Sequence, residues 1–206
     1  MQPWEIHQAL TAERLEIVGT IIRDVRIAVA LRMERDKGDT LWGAGCSTYE
    51  RTKFALANAA IKKYSEWLSV SEADHHFLIK IGLVPIRFYR GTADEDVPAK
   101  YAVGHQAEQD ALEFAFKSSD TPTPDFLLRL EVETDTDSHP VRVTLWQVDP
   151  HGGKHNEYAI PERTSQSVRS IARKKPPVTV PSPTVGSRKQ AAAPPERTVE
   201  FGDNSP

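Results

Sequence analysis

Apolar positions in the first third of the chain recur at helical spacing. Leu15, Val18, Ile22, Val25 and Val29 step by three and four residues, which predicts a helix from near Thr11 to about Arg35. Ile17, Ile21 and Ala28 widen the stripe, while Arg23, Asp24 and Arg26 interrupt it. Thr11 carries an N-capping hydroxyl, Glu13 favours the first turn, and Gly38 marks the stop. Phe54, Ala57, Ile61, Tyr64 and Leu68 repeat the spacing. Ser47-Thr48-Tyr49-Glu50 before them reads as a capping box. Two seams of matching length joined by roughly ten residues predict an antiparallel helical hairpin.

The period then shortens to two. In Leu83–Arg90, Ile86 and Phe88 face one way, Arg87 and Tyr89 the other. Pro85 lacks a ladder donor, so this strand lies at an edge or begins at the proline. The run from Glu72 to Ile81 reads equally as a last helical turn or an earlier strand. A third helix is expected from about Pro98 to Lys117, on Val103, Ala107, Ala111 and Phe114. Phe126, Leu128, Leu130 and Val132 alternate with Leu127, Arg129, Glu131 and Glu133; Val141, Val143 and Leu145 alternate with Arg142, Thr144 and Trp146. With a short strand near Glu157–Ile160 they form a three-stranded antiparallel meander. Helices first and strands last, without a βαβ rhythm, define an α+β fold: a helical hairpin on a small antiparallel sheet. The sheet comprises the meander and one further strand, with one intervening helix.

Charge divides the chain. Residues 1–69 carry +1, residues 70–161 carry −8 and residues 162–206 carry +4, which together give the net −3 of the 206 residues. The last block holds seven of the fifteen prolines and a single aromatic. It cannot bury enough apolar surface to offset its ordering entropy, and reads as a disordered basic tail. One folded domain over residues 1–161 therefore has a hairpin half (1–69) and an acidic β-rich half (70–161). A lone cysteine excludes an intrachain disulfide and a cysteine-rich zinc site. No stretch of about 18 uncharged apolar residues spans a membrane. The start, Met1-Gln2-Pro3-Trp4-Glu5-Ile6, lacks the form of a secretion signal, so a cytoplasmic setting is expected.

Candidate chemistry is sparse. Trp42-Gly43-Ala44-Gly45-Cys46-Ser47 puts two glycines and the cysteine at an expected helix start, where an anion or a thiolate would be favoured. Cys46 is thus the one catalytic candidate, and it requires a histidine nearby, such as His75, His76 or His105. His151 and His155 straddle a Gly-Gly turn, and no tetrahedral ligand set assembles, so neither metal nor cofactor is expected. Arg87, Tyr89, Arg129, Arg142 and Trp146 share the outer sheet face, an arginine and aromatic surface suited to a protein partner if no helix covers it. Arg23, Arg26, Arg51, Lys53, Lys62 and Lys63 on the helices, with Arg173, Lys174 and Lys175 in the tail, could grip nucleic acid. Val199 and Phe201 resemble a short docking segment. The expected function is a non-catalytic interaction protein, with nucleic-acid binding as the alternative and a Cys46 enzyme third.

Overall fold

The computed structural model describes residues 1–73, 76–118 and 122–162; the expected tail segment 163–206 lies outside them. After a short helix α1 (Pro3–Ile6), α2 (Ala12–Ala30) starts where the sequence places it, with the Thr11 hydroxyl accepting from the Arg14 N–H at 3.3 Å. Leu15, Val18, Ile22 and Val29 are buried as the spacing requires. Arg23 and Arg26, read as breaks in the stripe, are buried beside them.

The second helix, α3 (Leu41–Ala59), begins six residues before the expected cap. Thr40 is the N-cap, accepting from the Gly43 N–H at 3.1 Å, and Ser47 to Glu50 lie inside the helix. The buried face also differs: Ala44, Thr48, Thr52 and Leu56 point inward, while Phe54 and Ile61 are 70% and 80% exposed. Small side chains, with Leu56, fill the inward face, so Phe54 and Ile61 of the expected stripe lie outside while Tyr64 packs against the core. A π-helical turn (Ala60–Tyr64) ends it, and the chain enters strand β1 at Leu68, a residue the periodicity assigned to the helix.

Six strands form one mixed sheet in chain order: β1 (Leu68–Ala73), β2 (His76–Ile81), β3 (Val84–Arg90), β4 (Leu127–Thr134), β5 (Pro140–Val148) and β6 (Lys154–Ala159). The β4–β5–β6 meander matches the alternation in the sequence. β1 and β2 add a hairpin that the ambiguous 72–81 run concealed. Neighbours are antiparallel except β3 and β4, whose parallel pairing requires a crossover. That crossover is broken into α4 (Ala99–Ala102) and α5 (Gln106–Lys117), with Val103 and Gly104 interrupting the single helix expected there. Pro85 sits in an interior strand, and tolerates it because pairing with β4 begins only at Arg87.

Alternation sends Ile86 and Phe88 to the side where α3 lies, with the Phe88 ring stacked 5.8 Å from that of Tyr49. Arg87 and Tyr89 go to the opposite side, under α4 and α5. Leu128, Leu130, Val132, Val143 and Leu145 join the α2–α3 residues in one core.

The β2–β3 turn depends on Gly82, which has φ +63° and would put a Cβ 2.8 Å from that of Ala9. Gly82→Ala is expected to lower stability by about 1–2 kcal/mol in urea unfolding of the full chain. Wild-type stability would show that the turn relaxes freely.

Candidate functional site

The sheet face expected to receive a partner is closed. Arg87 and Tyr89 are each 2% exposed, Arg129 is fully buried, and Trp146 is covered as well. The crossover helices lie over them. Glu108, the third residue of α5 and itself 1% exposed, reaches down between the two arginines. It takes both Arg129 Nη atoms in a bidentate pair, the Nη2 contact at 3.1 Å, and stands 3.8 Å from Arg87 Nη1. Arg129 Nε donates to the Tyr101 carbonyl at 2.7 Å, and the Arg87 guanidinium lies 4.9 Å from the centre of the Tyr101 ring. Burial lowers the Arg129 pKa, with the Glu108 charge opposing it.

One step along the sheet, the Tyr89 hydroxyl donates to Glu131 at 2.5 Å, and Lys154 pairs with the same carboxylate. Burial raises the Tyr89 pKa, and the hydrogen bond and charge of Glu131 raise it further. These side chains hold the crossover to the sheet. Arg87, Arg129, Glu108 and Glu131 are closed off from a partner, while Tyr89 and Lys154 border open clefts. Of the expected surface only Arg142 is accessible at all, and it pairs with Glu157.

The helical cations are similarly divided. Arg23 donates to the Pro161 carbonyl at 3.1 Å and to that of Ile160 at 2.5 Å, tying α2 to the end of the described chain. Lys53 pairs with Glu72 at 2.6 Å. Arg51, Lys62 and Lys63 are exposed. Arg173, Lys174, Lys175, Val199 and Phe201 lie outside the described residues. In the turn after β5, the Asp149 carboxylate accepts from the His151 and Gly153 N–H groups and meets His155 Nε2 at 2.9 Å. The His155 contact, with those backbone donors, holds Asp149 down at about 2.

An open cleft lies elsewhere, where the first turns of α3 face the end of β3 and α4. Its volume is about 440 Å³, within the usual span of small-ligand sites. Trp42, Cys46 and Tyr49 line one wall, at the four- and three-residue steps that give a helix one face. Arg90 and Tyr89 from β3 and Lys100 and Tyr101 from α4 line the other, and Arg26 of α2 lines it as well. Glu50 is the one carboxylate among these lining residues. Trp42 is 80% exposed, so it offers a ring face to solvent.

The β2–β3 ladder closes at the pair Ile79↔Ile86, short of this end. Tyr49 stands there, its hydroxyl accepting from the Phe77 N–H at 3.0 Å and its ring against Phe77 and Phe88. Burial raises the Tyr49 pKa, and the Phe77 N–H opposes the shift.

Arg26 is the unusual member. It is 5% exposed, its Nε is buried without an acceptor, and no group among the described residues pairs with its guanidinium. Burial, reinforced by the charge of Arg90, lowers its pKa to about 10. A buried cation without a counter-charge is costly to the fold unless something outside the chain supplies one.

The structure therefore brings Cys46 and Tyr89 of the sequence candidates to one cleft and adds Arg26 from the nucleic-acid set. The glycine loop itself is helical, and Cys46 is the sixth residue of α3, beyond the orphan N–H groups of the first turn. No histidine lines this cleft among the described residues. Arg90, Lys100 and Tyr101 come from segments with no motif, while the sequence marks Trp42 only as part of the glycine loop and Tyr49 only as part of a capping box. The one legible signal was a charge inside the apolar stripe of the first helix.

No protein-family model matches this chain, and no curated protein or solved structure is significantly similar to it. Among the described residues, no helix is long and apolar enough to cross a membrane.

Proposed function

We propose that the chain is a non-catalytic interaction protein that holds an acidic group of its partner in the cleft between α3, β3 and α4. The observation that carries this reading is Arg26, a buried guanidinium with no acceptor among the described residues, which lines a cleft that also holds Arg90 and Lys100. Trp42 and Tyr101 supply flat apolar surface beside the cations, the pairing that dominates binding hot spots. The arginine and aromatic chemistry expected of the sheet face is thus offered by the cleft.

The test is a residue-resolved NMR titration of the full chain with acetylated tetraglutamate amide, and with the tetralysine counterpart as control. Tetraglutamate is expected to shift the Trp42 indole and Arg90 side-chain signals, and tetralysine to leave them in place. Arg26→Gln should weaken tetraglutamate binding by about tenfold or more. Equal affinity in wild type and Arg26→Gln, or shifts confined to other surfaces, would overturn the reading.

A further inference from the structure

Cys46 is the single cysteine of the chain, and it is exposed. It stands on the wall of the cleft, on the same helical face as Trp42 and Tyr49. Its exposure leaves the thiol accessible to an incoming group. A second, independent feature points to the kind of group. Arg26, nine-tenths buried with its Nε unpartnered, lines the same cleft, as do Arg90 and Lys100. Against these three cations the lining offers, among the described residues, one carboxylate, Glu50. Such a field concentrates anions near the thiol and repels cations. The helix dipole adds little here, because Cys46 lies past the first turn of α3.

Resting on the reading of the cleft as an anion site, we propose that Cys46 is a modification site for small disulfides that carry carboxylates, forming a mixed disulfide whose acidic half lies against Arg26 and Arg90. The Cys46 thiol first gives its proton to solvent. The thiolate then attacks one sulfur of the incoming disulfide; the new bond to Cys46 forms as the old sulfur–sulfur bond breaks. The other half departs as a thiolate and takes up a proton. Cys46 is oxidised, the departing half is reduced, and the disulfide itself is the oxidant. The seated acidic half occupies the cations that would hold the partner, so the modification closes the site, and a thiol reductant reopens it.

Intact-mass kinetics on the full chain test this with three probes: oxidised glutathione (anionic), hydroxyethyl disulfide (neutral) and cystamine (cationic). Rates are normalised to those of the same chain unfolded in urea, which removes the intrinsic reactivity of each probe. At low ionic strength the folded chain is expected to favour oxidised glutathione over cystamine by about tenfold, with the neutral probe between them. The preference should shrink at high salt and in Arg90→Gln, an exposed position whose change leaves the fold intact. Arg26→Gln should act in the same direction. A normalised ratio near one in the wild type, or one unchanged in Arg90→Gln, overturns the proposal. If tetraglutamate still binds through Arg26 in that case, the modification fails and the binding reading stands. If neither is seen, both fall.

Discussion

Glu108→Gln is expected to remove about 3–5 kcal/mol of stability, because it strands two buried arginines at once. Glu108 gives Arg129 a bidentate partner and is the nearest negative charge to Arg87. Arg129 is fully buried and Arg87 almost so, and neither can turn to water without lifting α5 from the sheet. Arg87 Nη2 already lacks a hydrogen-bond partner among the described residues, and its Nη1 has besides Glu108 only a long contact to the Lys100 carbonyl at 3.5 Å. Urea unfolding of the full chain measures the loss. Glu113 of the same helix pairs with Lys117 on the exposed surface, and Glu113→Gln should change stability by less than about 0.5 kcal/mol. Joining Arg129→Met to Glu108→Leu should recover part of the loss, since an apolar pair of similar volume replaces the ions. A loss below about 1 kcal/mol for Glu108→Gln would mean that the crossover is not anchored by this carboxylate.

Arg26→Met is expected to act the other way on stability and to abolish anion binding. The substitution removes a buried cation that no group among the described residues neutralises, and it keeps an unbranched apolar side chain in place. A gain of about 1–2 kcal/mol follows, at the lower end of what replacing buried ions by apolar residues yields. The pH dependence carries a definite sign. The folded-state pKa of Arg26, about 10, lies below its ordinary value, so above about pH 10 the native state holds fewer protons than the unfolded chain. Stability attributable to this group rises with pH only there. At neutral pH both states are protonated and the penalty is present in full. The Arg26→Met gain should therefore be constant from pH 6 to 8 and fall above about pH 10. A destabilised Arg26→Met protein would indicate that the guanidinium is satisfied within the fold.

The parts of the fold that the sequence announced are those in which residue polarity follows a simple period, even where both faces are buried. Leu128, Leu130 and Val132 alternate with polar neighbours, and β4, β5 and β6 pair as an antiparallel meander. β2 was hidden because Phe77, Leu78 and Ile79 are buried in succession, which erases the period of two. The buried face of α3 was hidden because threonine and alanine make its close contacts, while Phe54 and Ile61 remain outside. The closed sheet face has a related cause. Arg87, Arg129 and Glu131 look like a solvated face by residue type, and only the position of Glu108 and Lys154 in space supplies the charges that let them be covered. The cleft was the least legible feature. Its residues come from α2, α3, β3 and α4, and no spacing along the chain links Arg26 to Arg90 or Cys46.

On the proposed reading, Arg26 takes its acceptor from a bound anion. The most direct measurement is the thermal midpoint of the full chain against citrate concentration at fixed ionic strength, for wild type and Arg26→Met. An anion bound by the native state alone raises the midpoint as its concentration passes its dissociation constant. The wild-type midpoint is expected to climb with citrate, starting below that of Arg26→Met and approaching it, while the variant stays flat. An equal climb in both proteins, or none in the wild type, would contradict the account.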